Sequence, residues 1–231
     1  LLTILSLLLV VGCSKTEAQT YQFAEEFYNN GLPKSFNTYK ISKGMLVLVK
    51  KTGWYENGQK YWGKTFKDGQ LDGLYTKWYE NGQKEGEGTF KDGKEDGLWT
   101  IWYENGKKER EINYKDGKLI GLNTKWYDNG QKKAEGTWKD GKKEGLHTQW
   151  YDDGLKEFEG TFKDGKENGL HRWWYENGQK SKEGTYKDGK QVELVTSWYE
   201  NGQKGKEGTF KDGELVSENC WDIDGNDIDC D

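Results

Sequence analysis

The sequence predicts an all-β chain: an elongated antiparallel β-meander of tandem 24-residue hairpin repeats, forming a twisted single-sheet array. Three observations predict it. Trp54, Trp78, Trp102, Trp126, Trp150, Trp174 and Trp198 recur every 24 residues without insertion, and each opens a phrase such as Trp78-Tyr79-Glu80-Asn81-Gly82. A second aromatic keeps the same period, at Phe66, Phe90, Tyr114, Trp138, Phe162, Tyr186 and Phe210, each opening an aromatic-Lys-Asp-Gly phrase. The composition is that of strands and tight turns: 231 residues with 15% aromatics, 12 Trp, 14 Tyr and 32 Gly, but one Pro and only 32% hydrophobic residues.

A mean hydropathy of −1.12 and a charged fraction of 32% would ordinarily point to disorder. The abundance of Trp and the near absence of Pro oppose that. The net charge of −5 comes from 35 basic and 40 acidic residues interleaved along the chain. No basic block marks a nucleic-acid surface, and the charges suit a solvated sheet face.

The elements follow in chain order. Residues 1–13 read as a lipoprotein signal peptide and lipobox. Leu1–Val11 is apolar apart from Thr3 and Ser6, the length of a signal-peptide core and too short to span a bilayer. Val10-Val11-Gly12-Cys13 resembles the bacterial lipobox, which implies lipidation at Cys13 and a membrane-anchored lipoprotein of the cell envelope, facing the periplasm or in the outer membrane. Residues 14–22 read as a tether. Residues 23–51, with a turn at Asn29-Asn30-Gly31, read as an N-terminal cap or degenerate repeat. The repeat array occupies residues 52–213, and residues 214–231 form a C-terminal capping hairpin.

Within the array, Asn-Gly and Asp-Gly between aromatic and β-branched residues mark a hairpin turn about every 12 residues, leaving strands of roughly 6–8 residues. A three-residue loop at Glu80-Asn81-Gly82, with the glycine left-handed, sets Trp78 opposite Lys84, Thr76 opposite Gly86 and Leu74 opposite Gly88. The same loop at Lys91-Asp92-Gly93 then gathers Leu, Thr, Trp, Gly and Phe on one face. The other face carries Lys77, Tyr79, Glu85 and Glu87, with Lys77 and Glu85 as a cross-strand pair.

These phrases resemble the MORN repeat in its second, bacterial variant, whose pattern runs close to W-Y-E-N-G-x-K-x-x-E-G-x-(aromatic)-K-(D/N)-G-x-x-x-G-L. Residues 174–194 match nearly throughout, with Glu193 where glycine is expected. The resemblance implies an elongated meander and a protein-binding or lipid-associated role. It also implies kinship with proteins described as antitoxins of toxin–antitoxin modules, a role that needs a cytosolic partner or an exported toxin.

The candidate sites are few. One column changes from repeat to repeat while its neighbours hold: Tyr75, Trp99, Asn123, His147, His171 and Val195. It is the candidate recognition stripe for a protein partner. His147 and His171 stand one repeat apart, about 9–10 Å in a sheet, too far to share one metal. The turn carboxylates Glu56, Glu80, Glu104, Asp128, Asp152, Glu176 and Glu200 share one setting, which does not split pKa values as a glycosidase pair needs. No nucleophile triad, phosphate loop or nucleotide fingerprint occurs, so no catalytic residue, cofactor or metal is expected. A loop at Asp224-Gly225-Asn226 would set Cys220 opposite Cys230, within reach of a disulfide in an exported compartment. The surrounding aspartates read as an acidic cap.

The expected function is a non-catalytic, lipid-anchored repeat scaffold that binds a protein partner in the envelope. An antitoxin or immunity protein and an envelope carbohydrate-binding module, whose aromatic rows would stack on sugar rings, are the alternatives.

Overall fold

The computed structural model describes residues 19–230. No helix occurs among them, and Cys13 lies outside them. The chain divides into two compact units. The first runs to Lys108 and includes Tyr114–Gly117, and the second combines Glu109–Asn113 with the chain from Lys118 onward.

In the first unit the strands Thr20–Phe27, Pro33–Ser42, Met45–Trp54, Lys60–Lys67, Gln70–Trp78 and Lys84–Lys91 pair antiparallel, each with the next. Lys94–Glu95 and Gly97–Trp102 close its ladder. Residues 20–22, assigned from the sequence to the tether, instead begin the first strand, where Thr20 pairs with Lys40 and Gln22 with Thr38. In the second unit Glu111 and Arg110 pair with Thr124 and Lys125. From there the meander continues through Gly121–Trp126, Lys132–Lys139, Lys142–Trp150, Lys156–Lys163, Lys166–Trp174, Lys180–Lys187, Lys190–Trp198, Lys204–Lys211 and Glu214–Trp221 to the short Asp227–Ile228.

The two kinds of turn differ. At Trp-Tyr-Glu-Asn-Gly the loop has three residues, as the sequence predicted. The Tyr79 amide donates to Gln83 O at 2.8 Å, the Gly82 amide to Tyr79 O at 2.9 Å, and Gly82 sits at φ +85°. The Asn81 side chain completes the turn by accepting from the Gln83 amide at 2.9 Å. At Lys-Asp-Gly the expected three-residue loop does not form. Lys91 pairs with Lys94, leaving two turn residues, Asp92 at φ +49° and Gly93 at φ +77°. Two successive positive φ values define the type I′ turn, whose twist matches that of the flanking strands.

Two irregularities then move the register. Trp78 pairs with Lys84, but Lys77 pairs with Gly86, so Glu85 is an extra residue. Beyond it Tyr75, not Leu74, stands opposite Gly88, and Leu74 stands opposite Thr89. After each Asp-Gly turn a second interruption follows: Thr137 pairs with Glu144, but Gly136 pairs with His147, and Gly145 between them has φ +69°. The one-residue slip at Glu85 exchanges faces, as does a two-residue Asp-Gly turn in place of three residues, whereas the two residues skipped at Gly145-Leu146 leave the faces as they were. The predicted single face is therefore split. Leu, Thr and Trp share one side, here the leucine face. The glycines and the second aromatic share the other, the glycine face, with the variable column.

Candidate functional site

The repeats are held together at their turns. Tyr55, Tyr151, Tyr175 and Tyr199 each donate a hydroxyl to the carbonyl of the Trp that opens the next turn, at 2.7–2.9 Å. Asn57 and Asn177 donate their amides to Glu80 O and Glu200 O, at 3.0 and 2.7 Å. At the opposite end Gly165 N donates to Lys143 O and Gly189 N to Glu167 O, both at 2.9 Å. The constant Tyr, Asn and Gly are thus a nearest-neighbour coupling device. The turn acids serve it through their backbone carbonyls. The degenerate first turn uses the same bond, Tyr28 Oη to Trp54 O at 2.7 Å.

The glycine face carries the packing. Gly136 lies between Asn123 and His147, Gly160 between His147 and His171, and Gly184 between His171 and Val195. Trp99, His147, His171 and Val195 lie across Gly88, Gly136, Gly160 and Gly184. A Cβ at Gly136 would collide with the His147 ring, and one at Gly184 would come within 2.9 Å of Val195. The column is therefore not an exposed recognition stripe: His171 has no exposure, and His147 and Val195 have 7% and 8%. The physical reason is the register slip, which turns the column inward. Phe158, Phe162, Trp173 and Tyr186 surround His171, with ring centroids 4.8–5.8 Å away. In the first unit Tyr75, Phe90 and Trp99 form a similar cluster at 5.1–5.8 Å.

Ring N–H groups have a purpose in this column. The widened ladder leaves a Thr carbonyl accessible, and Trp99 Nε1, His147 Nε2 and His171 Nε2 reach Thr89 O, Thr137 O and Thr161 O at 3.2, 2.9 and 2.8 Å. The two histidines each engage their own carbonyl. Burial, ahead of the nearby Lys143, holds the His147 imidazole below the ordinary histidine range. No cluster of three or more His, Cys, Asp or Glu suited to a metal occurs among the described residues. Lys125 is held below the lysine range by burial and then by Arg110 and Lys133. Lys77 is held above it by its hydrogen bond to Glu85, at 2.7 Å, the pair expected from the sequence.

In each unit the leucine face carries three rows. Outermost are Leu74, Leu98, Leu122, Leu146, Leu170 and Leu194, all exposed, between 39% and 53%. Next, threonines alternate with glutamates: Glu135 stands between Thr124 and Thr148, and Glu87 opposite Thr76. Third come the repeat Trps, half-buried, with lysines between them. Lys60, Lys84, Lys132, Lys156, Lys180 and Lys204 lie 5.0–5.9 Å from the rings of Trp78, Trp102, Trp150, Trp174, Trp198 and Trp221. The lysines also pair with the glutamate three residues on: Lys84–Glu87, Lys132–Glu135 and Lys204–Glu207 at 2.6 Å, Lys180–Glu183 at 3.2 Å, and Lys156–Glu159. Arg172 replaces a threonine and bonds Glu183 at 2.7 Å, which with Lys180 lowers the Glu183 pKa.

At the C-terminal end the loop is Ile223-Asp224-Gly225, one residue earlier than expected, and Cys220 stands opposite Ile228 rather than Cys230. The Cys220 and Cys230 sulfurs are bonded, with Cα atoms 5.4 Å apart. Asp222 accepts from Asn226 and from the Asp224 amide, which holds its carboxyl below the usual range. It takes the place that Tyr holds in the repeats.

The first full repeat breaks the pattern, a signal missed in reading the sequence. Where the second repeat reads Glu85-Gly86-Glu87-Gly88, and every later repeat keeps the glutamate at its third position, the first reads Tyr61-Trp62-Gly63-Lys64. Trp62 lies over Gly53, and Lys64 lies over Trp62 at 4.7 Å.

Fold and faces together define a tandem β-hairpin repeat scaffold. Residues 71–92, 95–116, 119–140 and 167–188 match the MORN repeat variant. No curated protein matches the chain. Among solved structures, a crystal structure of TcdB2-TccC3-Cdc42 is 11% identical over 92% of this chain and 16% of that one, with a TM-score of 0.22. One of TcdB2-TccC3 is 11% identical over 91% and 16%, with a TM-score of 0.21. The chain spans about one-sixth of the length of these structures, and TM-scores at this level establish no common fold.

Proposed function

We propose that the chain is a non-catalytic scaffold that binds a protein partner across its leucine face, anchored at the cell envelope through an acylated Cys13. The observation that carries this is the leucine row: Leu122, Leu146, Leu170 and Leu194 stay 53%, 53%, 39% and 49% exposed at one repeated position. Isolated exposed leucines are ordinary, but an aligned row beside half-buried Trp is the composition of a contact surface. The glycine face is already occupied by its own aromatics.

The test compares partner capture by the wild-type chain and by L146D/L170D. Both leucines are exposed, so the variant should melt within about 1 kcal/mol of wild type while losing the captured protein. Capture unchanged by the pair would refute docking on this face. The anchor is tested separately: metabolic labelling with a fatty acid should mark the chain and be lost in C13S. A chain that never takes up label, or a C13S variant that still does, refutes the anchor.

A further inference from the structure

The leucine face carries one site where the repeat's own ion pair is missing. In five repeats the lysine before the Thr–Glu row holds the glutamate three residues on. In the first repeat that lysine is Lys60, and the residue three further on is Gly63. Gly63 stands between Thr52 and Thr76, as Glu135 stands between Thr124 and Thr148. Lys60 and Lys50 have no carboxylate within 4.0 Å among the described residues.

Neither backbone nor packing requires glycine here. Gly63 is not among the positive-φ residues. A Cβ would meet Trp78 at 3.6 Å and Lys50 Cε at 4.0 Å, ordinary contacts. What glycine leaves is space: a recess of about 270 Å³ lined by Lys50, Lys60, Gly63, Thr76, Trp78 and Glu87. Glu87 is already committed, to Lys84 at 2.6 Å and to the Thr76 hydroxyl at 3.3 Å. Two lysines without a carboxylate partner therefore line a recess at the position of the absent glutamate side chain, with more than enough room for one.

We propose that this recess receives a carboxylate from outside, the Glu or Asp side chain of a bound protein, in place of the missing repeat glutamate. The occupant is a side chain on a protein segment because Leu74, 49% exposed, borders the same recess and continues into the leucine row. The inference rests on the scaffold reading above and names the chemistry its partner must present. A carboxylate seated there would gain charge-assisted contacts to Lys60 and Lys50, partly shielded by the Trp78 ring.

The experiment is a titration of the isotope-labelled full chain with N-acetylglutamic acid α-amide, read at the Gly63 amide and the Trp78 indole N–H. The expected result is a saturable, salt-sensitive shift at both signals, weakened about tenfold or more in K60Q. Gly63→Glu supplies the internal carboxylate, so it should fold at least as stably as wild type and show no shift. The corresponding glutamine amide should be silent. An unshifted Gly63, an equal response to the glutamine amide, or a G63E variant that still binds would overturn the proposal. Tighter binding of glucuronate than of the glutamate amide would overturn the assignment to a protein side chain. A partner captured equally by wild type and G63E would remove this site while leaving the scaffold reading standing; loss of capture in L146D/L170D bears on the scaffold alone.

Discussion

Glu193 has φ +60° at the place where Gly73, Gly97, Gly121, Gly145 and Gly169 hold positive φ in the other repeats. Left-handed backbone costs a residue with a side chain about 1–2 kcal/mol. Its side chain is exposed and makes no hydrogen bond or ion pair among the described residues to offset that cost. Glu193→Gly removes the strain but frees the unfolded chain, an opposing effect of about 0.4–1 kcal/mol. The net gain should be about 0.5–1 kcal/mol. With a urea dependence of about 1–3 kcal/mol per molar, the unfolding midpoint followed by tryptophan fluorescence should rise by about 0.2–1 M. Gly145→Glu is the mirror experiment. Gly145 has φ +69° and no heavy atom within 4 Å of an added Cβ, so the loss should match in size with the sign reversed. Because repeats rest on their neighbours, amide exchange should slow most in Lys190–Trp198. A lower midpoint in E193G, or no effect of G145E, would refute the reasoning.

Tyr175→Phe removes the 2.7 Å bond to Trp198 O and should cost about 1 kcal/mol; faster amide exchange confined to the adjoining turns would confirm the coupling, and a uniform change would count against it. His147 titrates in the unfolded chain near pH 6.5 and lower when folded. As pH falls the unfolded state therefore takes up the proton first. Stability is complete above about pH 6.5 and declines from there through the folded value; melting midpoints of wild type and H147Q across this range check it, and an equal slope in H147Q would exclude His147 as the source. Reducing the Cys220–Cys230 bond should cost about 2–3 kcal/mol locally and fray Asp227–Ile228, seen by hydrogen exchange; loss of the whole second unit would contradict nearest-neighbour coupling.

The sequence by itself determined the strands and where they turn. A 24-residue aromatic period with Asn-Gly and Asp-Gly at fixed places admits little but hairpins, since those dipeptides fit left-handed backbone and the runs between them are short and β-prone. It also contained the broken first repeat at Tyr61-Trp62-Gly63-Lys64, visible once the repeats are laid over one another. The tertiary structure alone decided the faces. Glu85 adds one residue to a ladder, and the Asp92-Gly93 turn holds one residue fewer than a three-residue loop, each depending on which carbonyl finds which amide across the strands. A side-chain period of two makes each such step exchange inside for outside. That exchange carried His147, His171 and Val195 into the glycine face and left Leu146 and Leu170 exposed. The surface proposed for contact is therefore the constant leucine row and not the variable column.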